Sequence, residues 1–512
     1  MFTRPSLNPF CAVFTRHFFL SVLLVSAVSW SARAQPVPTT SRMRYVVEGG
    51  GLSAAPVQTP FWLRSNQYGT VPQRGSFGTV RLGIRRDYRS SADSVRAGRK
   101  HRFDWGFGLY AVGNAGLRAT DYNPSVVLPD AYVKLKLGRF ELYGGNRREV
   151  IGLGDTLLTS GFVAWSGNAL PFPKIQLSTP DYVPLSFTKN LLAFRVGYAH
   201  GWFTNTYVQS SYLHQKYLYG RFGKPRWAVK FYGGLNHQVQ WGGRADYLIK
   251  SQFAVNGQLP GSLQDYAWVI TGHYPDAIQG ANYTDFDGEN RVGNHLGSYD
   301  FALEWNGRDR NWLLYHQHYY EDASGLAFQN LPDGLTGLRL LNRRPTRARF
   351  QFQRVVLELL TTTNQSGPTF DLKARYQGAD NYFNHSQYVE GWSYRGRTIG
   401  TPFLMPSPDL APYLNAYARN YFPDNRVVMY YVGATGAFRG GPALTARLSY
   451  SRNFGTYNYP YPGAVHQLSA LLSAQMRVTR WPGTVLTGSL AFDRGDLLVH
   501  TTGGFISLRK SW

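Results

Sequence analysis

The chain ends in Gly503-Gly504-Phe505-Ile506-Ser507-Leu508-Arg509-Lys510-Ser511-Trp512. At period two, Gly504, Ile506, Leu508, Lys510 and Trp512 share one face, and Phe505, Ser507, Arg509 and Ser511 share the other. That is a strand with an apolar side and a polar side. The same alternation runs upstream. Leu486, Gly488, Leu490 and Phe492 oppose Thr487, Ser489 and Asp493. Leu468, Ala470, Leu472, Ala474, Met476 and Val478 oppose Gln467, Ser469, Leu471, Ser473, Gln475, Arg477 and Thr479, and Trp481-Pro482-Gly483 turns the chain between these two strands. Leu444, Ala446, Leu448 and Tyr450 oppose Thr445, Arg447, Ser449 and Ser451. Earlier, Val80, Leu82 and Ile84 oppose Thr79, Arg81 and Arg85, and Ala131–Tyr143 reads as a hairpin turning at Gly138-Arg139.

These strands run to about 10 to 13 residues, long for a globular sheet and suited to a tilted membrane crossing. Short turns alternate with longer polar loops, as in transmembrane barrels. The predicted fold is all-β, an antiparallel transmembrane barrel; periodicity alone leaves the strand number between roughly 14 and 20. The final strand resembles the closing strand of bacterial outer-membrane barrels, which pairs with the first strand and carries a terminal aromatic read by the barrel-insertion machinery. Lys510 departs from that pattern.

The amino terminus reads as a secretory leader. Arg4, Arg16 and His17 precede the apolar run Phe18–Val28, and Ala32-Arg33-Ala34 offers a cleavage site before Gln35. The organisation expected is a signal peptide over 1–34, an N-terminal linker or periplasmic segment over 35–60, and a barrel over 61–512. The single cysteine, Cys11, falls in the leader, so no disulfide or thiol chemistry is expected of the mature chain.

Aromatic residues make up 15% of the chain, charged residues 16%, and there are 54 glycines. Mean hydropathy is −0.31, which suits strands that show lipid only every second residue. Net charge is +24, and removing the three leader arginines leaves +21. Lumen and loop arginines meeting lipopolysaccharide phosphates would account for it; the alternative is a partner with many negative charges. Nucleic acid is not expected of an exported chain without a nucleic-acid module, and an acidic polysaccharide is the natural candidate.

Two stretches break the alternation. Asp155–Leu170 mixes small and apolar residues, and Pro408–Phe422 spaces Leu410, Leu414 and Tyr417 or Ala418 as a helix would; each is a short helix in a loop or plug, or an irregular loop. There is no HExxH, GxSxG or GxxxxGK motif, and neither a cofactor nor a metal is expected. Asp285–Asn290 is rich in oxygen ligands but misses the calcium-loop spacing. Glu321, Asp322 and Asp333 would serve glycoside cleavage only if two of them converged within about 5 to 10 Å.

What recurs is a mixture of aromatic, amide and cationic side chains, the set that stacks on sugar faces and bonds hydroxyls and carboxylates. The candidates for polysaccharide contact are Trp62, Arg64, Asn66, Arg147, Arg148, Lys216, His237, Trp241, Asn384, Tyr388, Trp392, Arg395 and Arg397. Most of the Tyr and Trp would equally serve interface girdles or packing.

These segments resemble the Wzi capsule assembly family of Gram-negative outer membranes. The stretches that carry the likeness are PFWLRSNQYGTV (60–71), GGNRREVIGLGD (144–155), GNALPFPKI (167–175), LHQKYLY (213–219), NHQVQWGG (236–243), NHLGSYDF (294–301), TTTNQSG (361–367) and NYFNHSQYVEGWSYRGRTIGTPF (381–403). The resemblance implies a monomeric barrel of about 18 strands with a small periplasmic helical portion and loops that occlude the pore. It also implies a non-enzymatic role: binding exported capsular polysaccharide and organising it at the cell surface. It brings no catalytic residues. A diffusion porin for sugars or anions is the alternative that the same alternation and basic lumen would serve.

Overall fold

A computed structural model describes residues 42–89, 102–116, 124–204, 207–272, 283–344, 347–371, 374, 376 and 378–512. The leader lies outside them. The wall begins with β1 (Met43–Ala55), β2 (Phe77–Arg86), β3 (Phe103–Ala115), β4 (Val126–Leu137) and β5 (Phe140–Asn146). Next come β6, interrupted into Lys174–Ser178 and Val183–Pro184, then β7 (Leu192–Trp202), β8 (Tyr212–Phe222) and β9 (Val229–Trp241). The far side holds β10 (Asn294–Asn306), β11 (Arg310–Tyr320), β12 (Gly334–Asn342) and β13 (Phe350–Thr361). The last five are β14 (Val427–Phe438), β15 (Ala443–Gly455), β16 (Pro460–Arg477), β17 (Thr484–Gly495) and β18 (Thr501–Ser511). Both halves of β6 pair with β7, so the main sheet's nineteen segments make eighteen strands. Each pairs antiparallel with the next, and β18 closes on β1 from Val46↔Ser511 to Ala55↔Thr502. Closure leaves no sheet edge, so every wall backbone group can be satisfied within lipid.

The expected linker over 35–60 is corrected at this seam. Its residues 43–55 are β1, hydrogen-bonded to β2 on one side and β18 on the other. The glycine run Gly49-Gly50-Gly51 disguised it, because glycine supplies no apolar period to read.

Alternation sets the two faces. On β18, Ile506 and Leu508 are 40% and 42% exposed and Ser507 only 3%. Leu448, Leu472 and Leu490 point outward in the same way, while Ser449, Ser469 and Ser489 point into the lumen. Lys510 lies on the outward face at the strand's end, donates to the Pro482 carbonyl and sits 5.6 Å from the Trp512 ring. A cation there reaches the polar interface along its aliphatic stem.

The two ends of the barrel differ. At the end that holds Ser511 of β18, most connections are short (138–139, 185–191, 307–309, 439–442), 87–102 being the longer one. Gly138 takes φ +61° in the two-residue turn between β4 and β5, as a tight hairpin of this twist requires. At the other end run 56–76, 147–173, 242–293 and 362–426. Among the described residues the α-helices are few and lie in connections at this end: α1 (Phe61–Arg64), α2 (Leu263–Thr271), α3 (Asp285–Glu289) and α4 (Ala323–Leu326). Pro408–Phe422 forms two 3₁₀ turns, Ser407–Asp409 and Pro412–Tyr417, that bury Leu410 and Leu414.

Candidate functional site

Three of the long connections turn inward and fill the lumen. The segment 147–173 crosses it, and its backbone is bonded by inward side chains from many strands. Gln238 of β9 donates to Ala164 O, Asp300 of β10 accepts from Leu153 N, and Gln317 of β11 accepts from Val163 N. Glu358 of β13 accepts from Ser160 N and the Thr159 hydroxyl, and Tyr431 of β14 donates to Leu158 O. A strandless segment inside a barrel has no ladder of its own. Its N–H and C=O groups must find side chains instead, and these polar residues of the lumen face supply them.

Ion pairs fix the plug's lower edge and its join with the other two segments. Asp155 is fully buried, caps Leu157 N and Leu158 N, and pairs with Arg354 at 2.5 Å and Arg339 at 4.0 Å. Arg447 of β15 donates to Leu157 O and Thr159 O and lies 5.2 Å over the Trp62 ring. Helix α1, from 56–76, is held by Phe61 N on Asp493 of β17 and by Trp62 Nε1 on the Ser449 hydroxyl of β15. Its Arg64 pairs at 2.9 Å with Asp409 from 362–426.

The motif 381–403 packs against this assembly. Trp392 is fully buried, Tyr394 stacks on Phe172 at 4.0 Å, and Ser166 donates to Gly400 O. A Cβ on Gly391 would stand 1.7 Å from Phe383 O, so only glycine fits there.

Most of the sugar-contact candidates are therefore structural. Trp62, Arg64, Tyr388, Trp392 and Arg397 are all at most 4% exposed. Arg397 donates to Val71 O, and burial together with the neighbouring Arg64 charge lowers its pKa to about 9. Asn66 bonds Ser160 O and Asn168 Oδ1, and Asn384 bonds both backbone atoms of Phe422. Arg147 pairs with Glu141 at 2.5 Å and lies 3.7 Å over the Tyr143 ring. Arg148 grips Asp130 through Nε and Nη2.

Lys216, His237 and Trp241 project outward rather than into the lumen, yet they are covered. Within the connection after β9, helix α2 folds back over the barrel's outside and lies on that patch. Tyr266 of α2 stacks on Trp241 at 5.0 Å, Lys216 donates to Ile270 O near the end of α2, and His237 bonds His295 at 3.0 Å. Sequence parity would have put these three toward lipid.

Arg395, like the Asp130-bound Arg148, is exposed. It takes φ +47° and donates to the Thr204 hydroxyl. Around the same long-loop end, Tyr247, Tyr413 and Tyr459 are 43%, 57% and 42% exposed. Sequence reading missed these three because nothing local separates an exposed tyrosine from a packed one.

The loop acids are occupied. Glu321 accepts from the Tyr319 hydroxyl and Phe383 N, and Asp333 accepts from Asn364 N, Gln365 N and the Tyr382 hydroxyl. Asp322 caps α4, and Asp380 accepts from the Ser324 and Ser366 hydroxyls. Burial first, and the adjacent Asp322 charge second, push Asp380 up to about 7. Asp287 is taken by Thr284 and Gln387, which turns the oxygen-rich stretch 285–290 into a helix cap.

A closed antiparallel barrel with an apolar outer face and a packed lumen is the architecture of an occluded outer-membrane barrel. The family model described as capsule assembly protein Wzi matches residues 33–404. The chain belongs to that family. Among solved structures, it is similar to Wzi of Escherichia coli, an outer-membrane protein involved in group 1 capsule assembly and described as a carbohydrate-binding β-barrel. That likeness has a TM-score of 0.55 at 15% identity and covers 99% of this chain and 89% of that one. OccK5 (OpdH) of Pseudomonas aeruginosa follows at TM-score 0.45 and 9% identity, covering 92% and 97% of the two chains. The anion-selective porin of Comamonas acidovorans gives 0.35 at 9%, covering 92% and 98%. No curated protein sequence matches the chain.

Proposed function

We propose that this barrel binds an acidic surface polysaccharide at its long-loop end and helps attach it to the cell surface, without catalysing a reaction. The family membership gives the role its class. The observation that carries it here is the filled lumen. Plug backbone is tied to β9, β10, β11, β13 and β14, an arrangement suited to a platform and not to a diffusion pore. The contacts fall to what the plug leaves exposed: Arg395 with Tyr247, Tyr413 and Tyr459. Such contacts are individually weak and sum along a repeating polymer. On this reading the chain is exported, cut after Ala34, and set in the outer membrane by the barrel-insertion machinery, with lipid and lipopolysaccharide around its wall and long loops outside.

The test has two arms. Purified protein should be retained by the host's own acidic surface polymer, with retention falling as salt screens charge, and Arg395→Ala should weaken it. In a planar bilayer the same protein should give little steady conductance. Salt-insensitive or absent retention would overturn the binding role, and a steady large conductance would restore the porin alternative.

A further inference from the structure

Acidic side chains answer several of the arginines that face the lumen, and carbonyls answer Arg447. Arg147 has Glu141, Arg354 and Arg339 share Asp155, and Arg81 faces Glu48. Two on neighbouring strands have none. Arg195 of β7 stands opposite Tyr219, and Arg221 of β8 stands opposite Ala193, so the two are diagonal neighbours on the inward face. Neither makes an ion pair among the described residues, and each Nε is shielded from solvent without a hydrogen-bond partner.

The surroundings are built for a ligand of the opposite sign. Where β6 is interrupted, Tyr182 enters the lumen, within electrostatic reach of both guanidinium groups. Its hydroxyl is shielded and has no partner. Its ring sits edge-on against Tyr232 at 5.5 Å, and Arg195 lies 5.3 Å over the Tyr217 ring. The carboxylates on adjoining strands are spent elsewhere. Asp300 takes Ser298 Oγ, Leu153 N and Tyr219 OH. Glu304 takes Lys230, Tyr232 and Asn311.

We propose that Arg195, Arg221 and Tyr182 form an oxyanion site in the lumen, entered from the short-turn end. Two guanidinium forks and one hydroxyl offer convergent donors to a carboxylate or phosphate group. Two like charges side by side in a half-buried wall are costly unless an anion joins them. Arg195 lies three residues into β7 and Arg221 one residue from the end of β8, both at the short-turn end. This places the site on the opposite side of the plug from Arg395, and it stands independently of the reading of the long-loop end. The same chemistry would accept the carboxylate of an acidic glycan or free phosphate.

The experiment uses detergent-purified mature protein titrated calorimetrically with inorganic phosphate and, separately, with trigalacturonate. Replacing both arginines (R195Q with R221Q) should weaken oxyanion binding by at least about tenfold, since each substitution removes charge-assisted hydrogen bonds. Tyr182→Phe should weaken it by about threefold. The double lysine variant, R195K with R221K, keeps the charge without the forks and should bind more tightly than the glutamine variant and more weakly than the unmodified protein, and heat-modifiable gel mobility reports that each barrel remains folded. Competition between the two probes for one site identifies a glycan carboxylate as an accepted source; phosphate binding alone identifies free phosphate, and both support the site. Absence of oxyanion binding by the unmodified protein, or equal affinity in the folded glutamine variant, overturns it.

Discussion

The wall from β14 to β18 and the plug inside it solve the same backbone problem in opposite ways. In the wall, each strand's N–H and C=O groups are met by its neighbours along a ladder broken only by a bulge near Asn453 and Gly455, so side chains are left free to sort by face. In the plug, 147–173 and 362–426 have almost no ladder, and side chains do the bonding: Glu358, Gln317, Gln238 and Asp300 from the wall, and Arg64 with Asp409 within the plug. Wall stability is therefore spread over many lipid contacts. Plug stability is concentrated in a few buried polar groups, which are costly to leave unpaired.

The largest expected effect follows from that concentration. Asp409→Ala strands Arg64 as a buried unpaired cation at about 3–5 kcal/mol. The plug should loosen while the wall persists, seen as steady conductance in a bilayer with heat-modifiable mobility retained. Loss of both together would mean that wall and plug are one cooperative unit. Next, Leu490→Arg puts a charge on the lipid face near the middle of β17 and should cost about 2–4 kcal/mol in a refolding titration from urea. The same exchange at an inward serine should cost much less, so equal costs would erase the distinction between the faces.

A smaller effect should come with pH. Asp380 titrates near 7 in the fold because burial and the Asp322 charge favour its protonated form. The stabilisation belongs to the protonated group, is fully present below the ordinary carboxylate range, and is lost as pH rises through about 7. Protection of the amides in 321–333 and 378–384, taken relative to the intrinsic exchange rate at each pH, should therefore be greater at pH 5 than at pH 8, and Asp380→Asn should flatten that difference. The smallest effect belongs to Lys510→Ala. An exposed interfacial lysine should change stability by no more than about 0.5 kcal/mol, in the same urea titration.

The legibility of the chain follows the same division. Ser507 and Ile506, Ser489 and Leu490, Ser449 and Leu448 were readable as face pairs, since the strand period alone decides them. Gly49-Gly50-Gly51 hid β1. Of the sugar-contact candidates, Arg395 emerged exposed, whereas Trp62, Trp392 and Arg397 became plug interior. Aromatic, amide and arginine side chains suit a sugar and a polar plug for the same reason: each combines flat apolar area with directional donors. Composition cannot tell the two uses apart.

By itself the sequence determined the barrel, its closing strand and, through the motifs between 60 and 403, its resemblance to one family. Those rest on periodicity and on local patterns that need no partner. Tertiary structure alone decided that Asp155, Glu358 and Gln317 hold a plug, that Lys216, His237 and Trp241 lie beneath α2 on the outer wall, and that Arg195 and Arg221 stand together without an acid. Each of those facts depends on which side chain from a distant part of the chain satisfies, covers or fails to neutralise another. That pairing exists only once the strands have closed.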